Sequence, residues 1–299
     1  MPPCYRAIDM KVLITGCHGQ VGRELMLLAA SYDCEAVGVD RDELNITDQN
    51  AVVQAIYKYS PDAIINAAAY TAVDKAEDDV AAAQAVNATA VSYLAEACAN
   101  ADIPFVHIST DYIFDGRKHG DYDEYDVVSP LGVYGETKLA GEEAVQKFCK
   151  KYYILRTSWV FSAHGNNFVK TMLRLGAERD VLGVVADQYG KPTSANEIAR
   201  VIYEMLTSHK QAWGLYHIAQ SEVATWFGFA EAIFAEARSQ GVALKLSTLN
   251  AIQTEDYPTP AKRPANSELN CDKLEQTFKL NIKPWKDSLA DVIKDLNHV

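Results

Sequence analysis

Short apolar runs alternate with longer amphipathic stretches between residue 10 and about residue 156. The runs have the length of buried strands, and the stretches carry apolar residues at helical spacing. The predicted strands are residues 11–15, 34–39, 62–66, 104–109 and 153–156. The predicted helices are residues 20–30, 48–59, 80–100 and 131–150, and we expect Thr47 to cap the second of them. This alternation implies βαβ units and therefore a doubly wound parallel α/β sheet.

Beyond residue 157 the alternation loosens. Strands are predicted at residues 181–185 and 215–218, and helices at residues 195–208 and 225–240. No linker rich in proline and serine separates the two halves. We therefore expect a first α/β domain over residues 10–157, to which the chain can return later. A smaller C-terminal α/β domain over residues 158–299 would pack on it, and residues 1–9 look like an extension.

Composition and charge narrow the range of partners. The chain has 299 residues, 48% of them hydrophobic, and a net charge of −12. Such a surface repels nucleic acids and anionic lipid, so we expect neither nucleic-acid nor membrane partners. The six cysteines are scattered without CxxC spacing, which indicates reduced thiols in a cytoplasmic protein. No signal-peptide pattern and no apolar run of membrane-spanning length is present.

A glycine-rich turn follows the first predicted strand. The sequence GCHGQVG at residues 16–22 places Gly16, Gly19 and Gly22 at GxxGxxG spacing, just before the first predicted helix. Glycines allow a tight turn and a close approach to a pyrophosphate, which the helix N-terminus can bind. Such a turn can also serve helix packing alone. Its position between the first strand and the first helix favours a dinucleotide site.

Two residues after the second predicted strand bear on the choice of cofactor. The carboxylate of Asp40 can accept hydrogen bonds from the adenosine ribose, which favours NADH. The guanidinium of Arg41 can bind the 2′-phosphate of NADPH. Asp40 favours NADH and Arg41 favours NADPH, so the sequence leaves the choice between the two cofactors open.

A tyrosine and a lysine open the helix after the fourth predicted strand. In YGETK, Tyr134 and Lys138 are four residues apart and so lie on one helix face. A nearby cation lowers the pKa of a phenol, which can then donate a proton to a carbonyl. Sixteen tyrosines give about one such spacing by chance. The position of the Tyr–Lys pair is stronger evidence for a site than its spacing. The preceding strand ends at Ser109, Thr110 and Asp111, and parallel sheets bind ligands at such strand ends.

GxxGxxG, a hydroxyl at a strand end and YxxxK in this order resemble the extended short-chain dehydrogenase/reductase superfamily. Within it, the chain resembles the dTDP-4-dehydrorhamnose reductases over about residues 10–295. The matching sequences are NAAAYTAVDKAE at residues 66–77, STDYIF at 109–114, RTSWV at 156–160, GNNF at 165–168, DQYGKPT at 187–193 and RPANS at 263–267. The resemblance implies reduction of the C4 keto group of a dTDP-4-dehydro sugar by NADPH or NADH.

The resemblance also implies roles for individual residues. Tyr134 would donate the proton, Lys138 would hold the nicotinamide ribose and tune Tyr134, and Thr110 would hydrogen-bond to the C4 carbonyl. The other residues expected to bind the cofactor are Gly16, Gly19, Gln20, Val21, Gly22, Asp40, Arg41, Ala69, Tyr70 and Thr71. Asp111, Trp159, Arg263 and Asn266 would join Thr110 in binding the sugar nucleotide. Without the resemblance, Trp159 could equally be a core aromatic residue, and Arg263 a solvated charge.

The resemblance leaves a metal ion and a homodimer open. Some relatives bind Mg²⁺ through carboxylates at a dimer interface, and Glu24 matches one of these positions. At a second position we align Asn196, followed by Glu197, which weakens the match. The histidines show no spacing typical of metal ligands, so no histidine ligand is expected.

Two other functions compete with reduction. A sugar-nucleotide dehydratase or epimerase could use the same scaffold, but a dehydratase typically has a second carboxylate after Asp111, where this chain has Tyr112. A non-catalytic regulatory subunit could dispense with the tyrosine or the lysine. Thr110, Tyr134 and Lys138 are all present, which favours catalysis.

Overall fold

The computed structural model describes residues 10–297; the predicted extension at residues 1–9 lies outside the described residues. The described strands are β1 (Met10–Thr15), β2 (Cys34–Val39), β3 (Ala63–Asn66), β4 (Phe105–Thr110), β5 (Tyr152–Thr157), β6 (Val160–Phe161), β7 (Val181–Val185), β8 (Tyr189–Gly190), β9 (Thr193–Ser194), β10 (Gly214–Ile218), β11 (Ala224–Thr225), β12 (Thr248–Ile252) and β13 (Asn266–Ser267). Six of them form a sheet in the order β10-β5-β4-β3-β1-β2, and every neighbouring pair is parallel. This confirms the predicted parallel sheet.

The described α-helices are α1 (Gln20–Leu28), α2 (Gln49–Tyr59), α3 (Val73–Ala76), α4 (Val80–Gln84), α5 (Ala90–Ala101), α6 (Val133–Phe148), α7 (Phe168–Glu178), α8 (Ala195–Thr207), α9 (Trp226–Ser239), α10 (Asp272–Phe278) and α11 (Trp285–Asn297). A π-helical turn, Ala85–Thr89, joins α4 to α5, so the predicted helix at residues 80–100 contains an irregular turn. The predicted cap of α2 was wrong. Asp48, not Thr47, accepts from the backbone N–H groups of Asn50 and Ala51.

Both faces of the six-stranded sheet are covered. In β1, Val12 and Ile14 belong to a core shared with α1 and α8, whereas Leu13 belongs to the core under α2, α5 and α6. All three side chains are fully buried. Successive side chains of a strand point to opposite faces, so a continuous apolar run is what a strand buried on both sides requires. The doubly wound arrangement follows directly from these runs.

The chain returns to this sheet after residue 157. Strand β10 pairs in parallel with β5, from Gly214 opposite Tyr153 to Ile218 opposite Thr157. Helix α8 packs against α1, and the Tyr203 hydroxyl donates to the Leu25 carbonyl at 2.7 Å. The later half of the chain therefore supplies the outer strand and one covering helix of the first layer.

A second, smaller α/β region packs beside the carboxyl ends of the strands. Its core contains Phe161, Phe229 and Trp285, with side chains from α7, β7, α9 and α11. The predicted strand at residues 181–185 is β7, and it pairs in parallel with β12. The sequence analysis predicted neither β12 nor α7. The burial pattern of β12 explains its omission, because its five residues are exposed or only half-buried.

None of the helices within residues 10–297 combines the length and the apolar character needed to cross a bilayer.

Candidate active site

A cleft of about 1260 Å³ lies beyond the carboxyl ends of the sheet strands. Fourteen of the predicted site residues line it: Gly16, Gly19, Gln20, Val21, Asp40, Arg41, Ala69, Tyr70, Thr71, Thr110, Asp111, Tyr134, Lys138 and Trp159. Gly22, Arg263 and Asn266 are not among its lining residues. Most residues that the sequence analysis singled out separately are thus brought to one place by the topology of the sheet.

The glycine turn has the shape that a pyrophosphate needs. Gly16 has φ +70°, and a Cβ atom there would lie 2.7 Å from the backbone of Ala68. A Cβ atom on Gly22 would overlap the carbonyl oxygen of Gly16, so Gly22 shapes the turn from behind. Gly19 begins α1 without a side-chain cap, which leaves the first N–H groups of the helix facing the cleft. These features fit a dinucleotide phosphate.

Asp40 and Arg41 lie at the far end of the cleft and differ in their contacts. The carboxylate of Asp40 accepts from the backbone N–H of His18 at 3.1 Å and from that of Arg41 at 2.8 Å. The Arg41 side chain is exposed and makes no hydrogen bond or ion pair with any residue from 10 to 297. Asp40 is therefore held in place, and the Arg41 guanidinium is free to bind an anion.

Thr110, Asp111 and Tyr134 meet at the end of β4. The Thr110 hydroxyl donates to Asp111 Oδ1 at 3.1 Å and accepts from the backbone N–H of Tyr112 at 3.2 Å. It also hydrogen-bonds to the phenol of Tyr134. Asp111 is buried, and burial raises its pKa to about 6, against the opposing effect of its hydrogen bonds. A hydroxyl, a carboxylate and a phenol thus converge where the sequence analysis placed them.

The protonation of Tyr134 differs from the expectation. Burial, with a smaller contribution from the Asp111 carboxylate, raises the pKa of Tyr134 to about 12, although the hydrogen bond with Thr110 lowers it. Lys138 was expected to lower this pKa. Instead its ammonium donates to the Ile108 carbonyl at 2.6 Å. Burial lowers the pKa of Lys138 to about 8, against the opposing Glu142 carboxylate. Tyr134 is therefore a protonated phenol at neutral pH.

A buried hydrogen-bond chain lies behind Lys138. Asn66 Oδ1 accepts from Thr15 Oγ1 at 2.6 Å and from the Ala68 N–H at 3.2 Å, so its amide nitrogen faces His107 Nδ1 at 3.1 Å. His107 Nδ1 is then an acceptor, and the neutral ring carries its hydrogen on Nε2, which lies 3.5 Å from Lys138 Nζ. Burial and the Lys138 charge hold the pKa of His107 well below its usual range. The Nε2–H group therefore disfavours the ammonium form of Lys138.

His107 and Asn87 also shape the site, and neither was predicted from the sequence to do so. His107 had a detectable signal, because it is the one basic residue inside the apolar strand β4. Asn87 sits in the π-helical turn, where its side chain hydrogen-bonds to the backbone N–H and carbonyl of Tyr70 and to the hydroxyl of Thr137. It joins the loop after β3 to α6, and nothing in an alanine-rich stretch pointed to that role.

The second region contributes an aromatic wall. The rings of Trp159 and Trp226 stack with centroids 3.6 Å apart and planes 9° apart, and both residues line the cleft. Trp159 has φ +49°, the left-handed region that non-glycine residues rarely adopt. Only Trp159 was predicted, because Trp226 enters the site through a contact with a residue distant in the sequence.

Arg263 and Asn266 have internal partners. Arg263 Nη2 forms an ion pair with Asp74 Oδ2 at 2.8 Å, which ties the loop before β13 to α3. The amide nitrogen of Asn266 donates to the carbonyls of Lys118 and Gly120, and its oxygen accepts from the Glu268 N–H. The polar atoms of Asn266 have these internal partners, and its contact with the substrate stays a prediction. Asn266 orders the adjoining loops.

The residues around Glu24 do not fit Mg²⁺. Glu24 accepts from the amide nitrogen of Asn196 at 2.9 Å and lies 3.7 Å from His164 Nε2. Glu197, the neighbouring carboxylate, instead forms a two-oxygen ion pair with Arg200. Mg²⁺ prefers several oxygen ligands, and here an amide N–H occupies the position of a second carboxylate. The metal ion suggested by the resemblance is not supported.

The fold and the cleft together define a class of protein: a doubly wound sheet with a glycine turn and a Tyr–Lys pair is typical of the extended short-chain dehydrogenase/reductases. The match is also more specific. The model of the RmlD substrate binding domain family matches residues 10–298, so the chain belongs to that family.

Individual relatives agree along the whole chain. A dTDP-4-dehydrorhamnose reductase of Aggregatibacter actinomycetemcomitans is 46% identical, over 94% of this chain and 98% of its own length. A crystal structure of a dTDP-4-dehydrorhamnose reductase from Clostridium acetobutylicum has 39% identity and a TM-score of 0.89, over 96% of this chain and 100% of its own. The Bacillus anthracis enzyme, solved in complex with NADP, has 36% identity and a TM-score of 0.89, over 96% of this chain and 99% of its own.

Proposed function

We propose that this chain reduces the C4 keto group of dTDP-4-dehydro-L-rhamnose to give dTDP-L-rhamnose, with NADPH or NADH as the reductant. The observation that carries the proposal is the convergence of Thr110, Tyr134 and Lys138 at the end of β4, in a cleft that begins at the glycine turn. The names of the relatives supply the substrate. The site supplies the groups that a carbonyl reduction needs.

The cofactor and the residues at the end of β4 have separate roles in the reaction. The bound nicotinamide supplies the hydride. When the substrate binds, the single hydrogen of the Thr110 hydroxyl turns from Asp111 Oδ1 to the C4 carbonyl oxygen, where it stabilises the negative charge that develops. The phenol of Tyr134 donates its proton to the same oxygen. A pKa of about 12 keeps Tyr134 protonated at neutral pH, so the proton is available without prior uptake from solvent.

Lys138 binds the nicotinamide ribose and keeps a positive charge behind Tyr134. Its ammonium is fixed by the Ile108 carbonyl, which leaves two N–H groups for the hydroxyls of the ribose. Burial opposes the charged form of Lys138, whereas the Glu142 carboxylate supports it. These opposing effects give a lysine that is charged only below about pH 8.

For the cofactor, we propose that the glycine turn binds the pyrophosphate, with Gln20 and Val21 at the start of α1 donating backbone hydrogen bonds. Ala69, Tyr70 and Thr71, which follow β3, would contact the part of the cofactor that lies beyond the end of that strand. Asp40 accepts from the adenosine ribose, and Arg41 binds the 2′-phosphate when NADPH is the cofactor. A carboxylate held in place beside a free guanidinium supports use of both cofactors.

For the sugar nucleotide, we propose that residues 158–299 provide most of the binding surface. The wall formed by Trp159 and Trp226 offers aromatic contact, and Asp111 offers a hydrogen-bond acceptor to the sugar. A dehydratase is less well supported, because Tyr112 follows Asp111 and its phenol is held neutral by burial. A non-catalytic role is disfavoured by the complete Thr110–Tyr134–Lys138 set.

We also propose a cytoplasmic location, which fits the five cysteines within residues 10–297, none of which forms a disulfide with another described residue. A homodimer stays a prediction, and sedimentation equilibrium tests it.

The function is tested by a reduction assay with purified protein. NADPH and NADH are each supplied with dTDP-4-dehydro-L-rhamnose, and the fall in nicotinamide absorbance is compared with the amount of dTDP-L-rhamnose found by chromatography. We expect one product per reduced nicotinamide consumed. Consumption without that product, or none with either cofactor, would contradict the proposal.

A further inference from the structure

Three side chains capable of binding a metal ion meet beside the glycine turn. Cys17 Sγ, His18 Nδ1 and an oxygen of Asp40 all lie within 4.8 Å of one another. Within residues 10–297 this is the one group of three such side chains drawn from histidine, cysteine, aspartate and glutamate. This group could not be predicted from the sequence, because Asp40 lies 22 positions from His18 and only the parallel pairing of β1 with β2 brings them together.

The distances suit a tetrahedral ion. His18 Nδ1 and Asp40 Oδ2 are 3.5 Å apart. In a tetrahedral zinc site with Zn–N and Zn–O bonds of about 2.0 Å, two such ligand atoms are about 3.3 Å apart. A thiolate at about 2.3 Å from the ion completes a three-residue set and leaves one position for solvent. Only small side-chain movements separate the observed arrangement from a metal site.

The backbone holds two of the three ligands in place. The N–H of Cys17 donates to the Val39 carbonyl at 3.3 Å, and its side chain lies over Gly38, where a Cβ atom would come within 2.8 Å of it. The Asp40 carboxylate accepts from the N–H groups of His18 and Arg41. His18 is exposed and can rotate onto an ion. Such a site pays little conformational entropy when it binds.

The local charge favours a cation. Burial and the Asp40 and Glu43 carboxylates raise the pKa of the Cys17 thiol, and Arg23 opposes them. The same two carboxylates attract a divalent ion. Arg23 Nε lies 3.3 Å from the His18 carbonyl, and the exposed Arg41 follows Asp40, so two guanidinium groups partly offset this attraction.

We propose that the glycine turn carries a site for a thiophilic divalent cation, such as Zn²⁺, formed by Cys17, His18 and Asp40. We further propose that this ion and the dinucleotide exclude each other. A ligand set of one sulfur, one nitrogen and one oxygen favours zinc over the hard cation Mg²⁺. On binding, Cys17 loses its thiol proton to solvent and forms an S–Zn bond, with no change of oxidation state.

Mutual exclusion follows from the position of the ligands. Asp40 is the residue proposed to accept from the adenosine ribose, and zinc bound to one of its oxygens withdraws charge from the carboxylate and lies where the ribose would approach that oxygen. Cys17 and His18 lie between Gly16 and Gly19 in the sequence; they do not line the cleft themselves, so Asp40, which does, is the ligand through which the ion and the dinucleotide compete. This second part of the inference rests on the proposed function, whereas ion binding itself does not.

Ion binding is tested on the protein without cofactor. Zn²⁺ is titrated calorimetrically, and Co²⁺ is added separately to look for the absorption band of a thiolate–cobalt bond. We expect one Zn²⁺ per chain and a cobalt band that Cys17→Ser abolishes. Cys17→Ser and His18→Asn should each weaken Zn²⁺ binding at least about 10-fold, the scale seen when even an outer partner of a metal ligand is lost. The exposed His209→Asn is the matched control and should bind Zn²⁺ as the wild type does.

Competition is tested by binding NADPH at rising Zn²⁺ concentration, with Mg²⁺ at equal concentration as the comparison. The apparent Kd of NADPH should rise in proportion to Zn²⁺ in the wild type and in His209→Asn, and not in Cys17→Ser; Mg²⁺ should have no effect. Stoichiometric Zn²⁺ binding that survives Cys17→Ser and His18→Asn, or no binding, overturns the site. Zn²⁺ binding at this site without any effect on NADPH overturns the exclusion alone. Neither measurement uses the sugar nucleotide, so a wrong substrate assignment would show only in the reduction assay.

Discussion

The two ends of the cleft are built on different principles. At the end of the cleft by β4, the proposed reacting end, Thr110, Asp111 and Lys138 are all at least 95% buried. Thr110 is hydrogen-bonded to Asp111, and Lys138 to the Ile108 carbonyl. At the adenosine end, Asp40 is half-buried and Arg41 is exposed without a partner in the described chain. The groups proposed to act on the C4 carbonyl are thus held by a desolvated network, whereas those proposed to recognise the adenosine of the cofactor are solvated side chains. Substitutions at the first end should change turnover, and those at the second should change affinity.

The largest effect is expected for Tyr134→Phe. Loss of the phenolic proton donor should lower kcat by about 10²-fold or more, the usual scale for losing a general acid. The Kd for NADPH should stay close to that of the wild type, because the ring keeps its place against Tyr112. Stopped-flow turnover and calorimetric NADPH binding measure the two quantities. Near-normal kcat in a folded variant would remove Tyr134 from the mechanism.

A smaller effect, on the affinity for the sugar nucleotide, is expected from substitutions in the ion pair of Arg263 with Asp74. If the guanidinium binds the diphosphate, Arg263→Ala should weaken sugar-nucleotide binding by about 1.5–3 kcal/mol and leave the Kd for NADPH almost unchanged. Asp74→Asn should weaken it less, because the guanidinium is retained. Calorimetric titration of both variants with the sugar nucleotide and with NADPH measures these affinities. Equal losses in the two variants would mean that Arg263 acts only by tying its loop to α3.

The pH dependence separates Lys138 from Tyr134. Lys138 is an ammonium below its pKa of about 8 and loses its charge as the pH rises through that value, whereas Tyr134 stays protonated to about 12. The value of kcat/KM for NADPH, which reports the free enzyme, should therefore fall about tenfold per pH unit above 8. In Lys138→Arg, whose guanidinium does not deprotonate, this fall should disappear at whatever activity is left. If kcat/KM for NADPH still falls above pH 8 in Lys138→Arg, the titration of another group causes the fall.

The smallest effect is expected at the exposed end. Arg41→Ala should raise the KM for NADPH several-fold, about the scale of 1 kcal/mol for a solvated ion pair, and leave the KM for NADH unchanged. The value of kcat should not change with either cofactor, because the 2′-phosphate is remote from the reacting carbon. Steady-state kinetics with both cofactors provide the test. Equal changes in the KM for NADPH and the KM for NADH would show that Arg41 does not contact the 2′-phosphate.

Local patterns predicted the reacting end well. The apolar runs of β1 to β5 predicted βαβ units and a parallel sheet. In such a sheet the end of β4 and the start of α6, with Tyr134 and Lys138, fall on one edge. What escaped prediction depends on contacts between distant segments: the stacking of Trp226 on Trp159, the link from Asn87 to Tyr70, and the pairing of Arg263 with Asp74. The pKa of Tyr134 escaped for a different reason. Sequence spacing reports which charge is near, but not how much water burial removes.

The return of β10 to the first sheet means that the chain cannot be divided into two independent modules. A fragment ending at residue 157 would leave the whole edge of β5 unpaired and the apolar face of α1 without α8, which are the features of an aggregating polypeptide. Exchange of the later half between relatives would break the same contacts. A change of sugar specificity in this scaffold must therefore come from substitutions in the loops around the cleft, made inside an intact chain.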